Sequence, residues 1–326
     1  MQDIYVRLRS LGFSRPFLRD CILPDWWEDS MASVPANRAL IETILSRQLG
    51  LDMAGLSDPT KELTLKPELV ARFKTRQGVT ADRLNVAQTL VSRVATIAAA
   101  CSSAPPPLEN LSAIGIRQDI LASGAPWIGL DHLLDFCWKI GIPVVHLCRK
   151  PTGGRWMDGA AVRCEGRPVI VIACQYKQPA RQLFILAHEL GHIVCGHLSS
   201  KDDNIWDEHV QSDVQEKQER EANDFAVELL AGNRNTKLAP RFSWLTAADL
   251  ADSARSLGKE LAIDPGVIAL NYAWNQGFMQ VGTAALNLLV PEADAASQFR
   301  AHYPLLDLDS LPEDSRRVFE CLTASE

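Results

Sequence analysis

The sequence lacks long apolar runs, paired cysteines and an excess of positive charge. None of its apolar runs is long enough to cross a bilayer, so we expect no membrane partner. The first residues contain no apolar core before a small-residue cleavage site, which argues against a secretory leader. The formal net charge of −7 argues against direct nucleic-acid binding over a broad surface.

The eight cysteines are scattered, and no two of them form a Cys-x-x-Cys pair. Cysteine zinc sites and disulfide frameworks normally show such regular spacing, and disulfide frameworks are typical of much shorter chains. We therefore expect reduced, mostly buried thiols and a cytoplasmic protein.

At 326 residues, with 47% hydrophobic and 22% charged residues, the chain has an ordinary globular composition and room for about two domains. Three consecutive prolines at 105–107 follow small polar residues and predict a stiff linker. We expect a helical N-terminal domain over 1–104, a linker over 105–124, a core over 125–235 and a mainly helical region over 236–326.

Apolar periodicity predicts the secondary structure on both sides of that linker. Residues 37–49 and 84–100 repeat apolar side chains at helical spacing, so the N-terminal part is predicted to be all-helical. Short apolar runs at 142–147, 158–163 and 168–174 predict strands that precede a buried helix. The expected fold class is α+β, with a small sheet packed on that helix. The periodicity leaves open which strand forms the edge.

The buried helix is predicted for residues 183–198, LFILAHELGHIVCGHL, which contain the motif H-E-x-x-H. His188 and His192 are one helical turn apart and can direct both imidazoles at one metal ion. Glu189 projects beside them, where it could accept a proton from a water molecule at the metal. The pattern is typical of zinc metallopeptidases.

A structural role for the two histidines is the alternative, because H-E-x-x-H also occurs by chance. The apolar surroundings favour the metal site. A charged Glu189 in such a helix is costly to bury unless a partner compensates its charge, and a metal centre supplies that partner.

Catalytic zinc usually takes three protein ligands, so a third must lie elsewhere. The motif H-E-x-x-H-x-x-G-x-x-H would need Gly at 195 and His at 198, but Cys195 and Leu198 stand there. His197 lies five residues after His192, which predicts a different helix face. We interpret His197 as a surface residue or as a support for the site.

A second predicted helix, over 212–230, offers two glutamates as the third ligand. Glu219 shares a helix face with Asn223, an arrangement expected if the carboxylate binds the metal and the amide supports one of the histidines. Glu221 is the competitor. We favour Glu219 and leave Glu221 open.

The combination of HELGH at 188–192 with EREANDFAVELL at 219–230 resembles the ImmA/IrrE family of zinc metallo-endopeptidases. The resemblance covers residues 125–235 and implies a zincin-like core in which His188, His192 and Glu219 hold Zn²⁺ and Glu189 is the catalytic base. It also implies site-specific cleavage of a DNA-binding transcriptional repressor, in phage, mobile-element or stress regulation.

A protein that binds and sequesters a transcription factor without cutting it is the alternative, because resemblance to a family does not establish turnover. The residue that stabilises the oxyanion is also open. Tyr176, His197 and His209 are candidates on chemistry alone.

Overall fold

A computed structural model describes residues 1–64, 71–73, 81–103, 110–151, 156–198, 212–236 and 246–324. Short π- or 3-10-helical turns at 18–22, 29–33, 303–305 and 308–310 accompany the α-helices. None of the described helices has the length and apolar character needed to cross a membrane. The α-helices in chain order are α1 (Gln2–Ser10), α2 (Arg15–Phe17), α3 (Pro35–Leu49), α4 (Met53–Ser57), α5 (Ala81–Cys101), α6 (Ala113–Ala122), α7 (Leu130–Lys139), α8 (Pro179–Val194), α9 (Ser212–Ala231), α10 (Ala247–Leu261), α11 (Pro265–Gln276), α12 (Met279–Leu289), α13 (Ala295–Arg300) and α14 (Glu313–Thr323).

A small mixed sheet lies in the middle of this chain of helices. Its strands are β1 (Ala71–Phe73), β2 (Val144–His146), β3 (Gly159–Cys164) and β4 (Arg167–Ile172), in the spatial order β1-β3-β4-β2. β3 and β4 form an antiparallel hairpin, and β2 runs parallel to β4. The hairpin turns at Glu165 and Gly166, whose φ angles of 48° and 82° are both left-handed. The predicted α+β class is confirmed.

The prediction that residues 1–100 are all-helical was wrong for residues 71–73. This strand pairs antiparallel with β3, with Ala71 in register with Val162 and Phe73 in register with Ala160. Its partner lies about ninety residues further along the chain, which local periodicity cannot reveal. Among the described strands, β1 and β2 are therefore the two edges, and β3 is paired on both sides.

Alternate residues of the strands face two separate apolar clusters, as the pleat of a sheet requires. Val145, Val169 and Val171 face a cluster built with α1, α3, α5 and α14. Val144 and Ile170 face the other cluster, which α7, α8 and α9 complete. The sheet is thus covered on one face by helices from both ends of the chain and on the other by α7–α9.

Part of the predicted linker, 105–124, is helical rather than extended. Ser112 accepts a hydrogen bond from the backbone N–H of Gly115 at 3.1 Å and so caps the N-terminus of α6. Residues 104–109, with the prolines, lie outside the described residues. The first apolar cluster also draws on residues 1–104, on β3 and β4, and on α14, so this core crosses the predicted domain boundaries.

The expectation that every thiol is reduced was wrong for two cysteines. Cys21 and Cys321 form a disulfide with a Cα–Cα distance of 5.5 Å, although they are 300 residues apart in the sequence. The π-helical turn at 18–22 packs against α14, and this contact brings the two residues together. The other six cysteines are outside this disulfide, and four of them are buried.

The helix that carries H-E-x-x-H begins and ends with specific signals. Pro179 occupies the first turn of α8, where its missing N–H costs nothing. Gly196 takes a left-handed φ of 74° after the last turn. The N–H of His197 then donates to the carbonyl of His192 at 2.9 Å, which closes the helix with a Schellman turn.

α8 and α9 approach each other closely at Gly191. A Cβ atom at this glycine would lie 3.1 Å from Cα and from the carbonyl oxygen of Ala222, and 3.1 Å from the ring of Phe225. The Ala222 atoms are backbone, so a larger residue at 191 would push the two helices apart. This contact sets the distance between the faces of α8 and α9.

Substituting Gly191→Ala should therefore destabilise the fold, although alanine is the better helix former. We expect the variant to be about 1–3 kcal/mol less stable than Gly115→Ala, because overpacking between backbones outweighs the propensity gain. Gly115 is the matched control. It also lies in a helix, and among the described residues its added Cβ would meet only the hydroxyl of Ser112. Urea denaturation of both variants measures the difference, and equal stabilities would contradict the close contact.

His146 should make the fold sensitive to mild acid. Burial lowers the pKa of its imidazole below the usual 6.5, and Nε2 lies 2.8 Å from the carbonyl oxygen of Cys174. Below about pH 6.5 the unfolded chain therefore binds a proton that the folded chain does not, so stability falls as the pH drops. Denaturation at pH 7.5 and 5.5 should show a smaller loss for His146→Gln than for the wild type. An equal loss in both would show that this imidazole is not responsible.

Candidate metal centre

The two histidines of the motif lie side by side on α8, as the helical spacing predicts. Their Nε2 atoms are 3.1 Å apart, and the rings meet nearly edge to face. Both residues are buried. Two imidazole nitrogens therefore converge on one point on the side of α8 that faces α9.

Glu219 of α9 lies at the same point. One carboxylate oxygen is 3.4 Å from Nε2 of His188, and the other is 3.3 Å from Nε2 of His192. Its side chain keeps 30% of its surface exposed, so the cluster is open to solvent on this side. His188, His192 and Glu219 offer three ligand atoms within 4.8 Å of one another.

This donor set fits zinc. Bonds of about 2.0–2.1 Å at tetrahedral angles place neighbouring ligand atoms about 3.3 Å apart, close to the separations found here. Two imidazoles and one carboxylate are also a ligand set known from catalytic zinc sites, which leave the fourth position for water or substrate. The arrangement is suited to hydrolysis at a polarised carbonyl.

Glu221, the competing glutamate, points to a different partner. Its carboxylate lies 2.9 Å from Nε2 of His197, and Lys217 approaches it from the preceding turn at 3.7 Å. The hydrogen bond with His197 lowers the pKa of the Glu221 carboxyl below its ordinary value. The two glutamates therefore serve different histidines, although they are only two residues apart.

The electrostatics of Glu219 favour its ionised form. Burial raises the pKa of the carboxyl, but hydrogen bonds and charge interactions with His188 and His192 outweigh this effect and hold the pKa well below its ordinary value. A carboxylate that stays ionised is what a cation requires as a ligand.

Asn223 supports His188 in the way that the i, i+4 spacing with Glu219 predicts. The Nδ1 atom of His188 lies 3.0 Å from the Oδ1 atom of Asn223. When Nδ1–H donates to this oxygen, the lone pair of the ring is on Nε2, at the cluster. The amide thus fixes both the orientation and the tautomer of this histidine.

Of the two interpretations of His197, the surface residue was wrong, and the residue lies beyond α8 rather than on another of its faces. α8 ends before this residue, and the left-handed Gly196 turns the chain back toward the helix. Nδ1 of His197 consequently lies 3.0 Å from Nδ1 of His192, and the residue is buried. A glycine that follows the last apolar turn is a recognised helix stop, and it was the signal available in the sequence.

Glu189 lies on the side of α8 that faces the sheet and is buried. A Cβ atom at Gly159, the first residue of β3, would lie 2.9 Å from Oε1 of Glu189 and 2.8 Å from the side chain of Ile185. A side chain at this strand end would therefore force Glu189 and Ile185 to shift. Gly159 was not among the predicted site residues, although an isolated glycine beside a strand often marks such an approach.

The three candidates for oxyanion stabilisation, Tyr176, His197 and His209, lie in different places. His197 is held between His192 and Glu221, behind the metal-facing nitrogens. The ring of Tyr176 packs under Arg181, which lies about two helical turns, or ~10 Å, before His188. His209 lies outside the described residues.

Comparison with known proteins supplies one match. Residues 143–239 match the IrrE N-terminal-like domain family, Peptidase_M78, and the match includes His188, Glu189, His192 and Glu219. No curated protein and no solved structure matches the chain. The family indicates a metallopeptidase-like function. The resemblance predicted from the two motifs is therefore confirmed at the level of the family model, and residues 143–239 are similar to the IrrE N-terminal-like domain of the Peptidase_M78 family.

Proposed function

We propose that this protein is a zinc-dependent, site-specific endopeptidase. The observation that carries the proposal is the convergence of His188, His192 and Glu219, whose ligand atoms lie at separations suited to tetrahedral zinc. Glu189 directly follows the first of these ligands in the sequence, and the H-E-x-x-H pattern supports its assignment as the general base.

We assign a role to each residue on the support of its position. His188, His192 and Glu219 would hold Zn²⁺, which supplies a Lewis acid for the scissile carbonyl and lowers the pKa of water. Glu189 accepts the proton of the attacking water and returns it to the leaving amine. Asn223 keeps Nε2 of His188 free of a proton by accepting the hydrogen bond from Nδ1.

The substrate that we propose is a DNA-binding transcriptional repressor in the cytoplasm, cut in phage, mobile-element or stress regulation. The resemblance of the two motifs to the ImmA/IrrE family supports this choice. The net charge of −7 also fits a protein whose partner is another protein rather than the nucleic acid itself.

Zinc binding tests the three proposed ligands. Purified protein should contain one zinc ion per chain, and His188→Ala, His192→Ala and Glu219→Ala should each lose most of it. Metal analysis after gel filtration measures the content. Glu228→Ala is the matched control, because this glutamate is also on α9 but pairs with Arg234. Full zinc content in Glu219→Ala would exclude this carboxylate as a ligand.

Cleavage tests Glu189 separately from the metal. Glu189→Gln preserves the size of the side chain but removes the base, so it should keep its zinc and cleave at least about 10²-fold more slowly. The assay incubates each protein with a repressor encoded beside its gene and identifies the fragments by mass spectrometry.

Chelation of the metal should abolish the fragments from the wild type. Equal cleavage by Glu189→Gln would show that another residue is the base. A stable complex of wild-type protein and repressor without any fragments would instead support sequestration and contradict the peptidase proposal.

A further inference from the structure

A chain of hydrogen bonds extends from the proposed metal centre to the outer face of α9. Nδ1 of His192 lies 3.0 Å from Nδ1 of His197, and Nε2 of His197 lies 2.9 Å from the carboxylate of Glu221. His192 and His197 are buried, whereas the side chain of Glu221 is 44% exposed. The chain therefore connects a buried imidazole to a partly hydrated carboxylate through a second buried imidazole.

The identity of the atoms decides which nitrogens carry protons. A carboxylate can only accept a hydrogen bond, so Glu221 selects the tautomer of His197 with its proton on Nε2. Nδ1 of a neutral His197 is then an acceptor. Nδ1 of His192, at 3.0 Å, must be the donor, which leaves the lone pair of His192 on Nε2.

The opposite arrangement would disable the site. If Nδ1 of His197 carried the proton, it would donate to His192 and place the proton of that ring on Nε2. This nitrogen is 3.1 Å from Nε2 of His188 and 3.3 Å from Glu219, where a cation would be held. Hence, with His197 neutral, the hydrogen bond to Glu221 excludes the tautomer of His192 that cannot bind metal.

From this geometry we infer that His197 and Glu221 are positioning residues for the metal centre, which fix the tautomer and the ring orientation of His192. The inference rests on the proposed function. Asn223 does the same for His188 in a single step, and the two histidines therefore have independent supports from α9. Such partners of metal-binding histidines typically change metal affinity by about 10–100-fold.

The conformation of Gly196 makes possible this relay, the hydrogen-bond chain from Glu221 through His197 to His192. The left-handed turn brings His197 back over the last turn of α8, within reach of both His192 and α9. Among the described residues, no heavy atom lies within 4 Å of a Cβ built at Gly196. With respect to those residues, its replacement would disturb the turn through backbone strain alone.

Zinc affinity, measured by competition with a chromophoric chelator, tests the relay without any substrate. His197→Leu keeps an apolar side chain of similar size but removes the acceptor, and it should weaken zinc binding about 10–100-fold. Glu221→Ala should weaken it by a smaller factor, and the control Glu228→Ala should not change it.

Two further variants separate positioning from general structural support. Because Glu221 acts through His197, the double variant His197→Leu/Glu221→Ala should bind zinc as tightly as His197→Leu alone. His197→Asn places an amide oxygen near the position of Nδ1, so it should recover much of the affinity and no longer respond to Glu221→Ala. Co²⁺ absorption spectra should change with His197→Leu and return toward the wild-type spectrum with His197→Asn.

The outcomes distinguish the inference from the proposed function. Tight zinc binding by the wild type together with unchanged affinity in His197→Leu would overturn the relay alone. The relay would also be overturned if His197→Leu and Glu221→Ala lowered the zinc affinity independently, so that their fold-changes multiplied in the double variant. A wild-type protein that binds no zinc would overturn both proposals.

Discussion

The close approach of α8 and α9 at Gly191 is the constraint on which the site depends. The histidines lie on one helix and the carboxylate on the other, so their ligand atoms can converge only if the helices are close. The missing side chain at Gly191 lets the backbone of Ala222 come within van der Waals contact. One glycine inside the H-E-x-x-H motif thus sets the distance between α8 and α9, although the two helices are separate segments of the chain.

The orientation of the histidines depends on α9 as well. Asn223 supports His188, and Glu221 reaches His192 through His197. Three residues of a single helix, at 219, 221 and 223, therefore contact three different histidines. Because alternate positions on a helix project about 200° apart, Glu221 can serve a histidine beyond the end of α8 while Glu219 and Asn223 face its motif.

The sheet connects this site to the remainder of the chain. β3 begins at Gly159 against Glu189, and its other residues pack between α8 on one side and α5 on the other. Helices from both ends of the chain share the apolar cluster behind the sheet, and the disulfide between Cys21 and Cys321 joins them. The N-terminal and C-terminal parts consequently support the strand against which the proposed base is placed.

The sequence by itself determined the elements whose signals are local. The spacing of His188 and His192 predicted their shared helix face, and the apolar runs at 158–163 and 168–174 predicted the strands β3 and β4. The i, i+4 relation of Glu219 and Asn223 also indicated which glutamate would accompany the histidines.

Only the tertiary structure decided the contacts between segments that are distant in the chain. These are the pairing of residues 71–73 with β3, the bond between Cys21 and Cys321, and the return of His197 to His192 and Glu221. The physical reason is the same in each case. Periodicity reports which face of an element is buried, whereas the partner that buries it is set by packing across the whole fold.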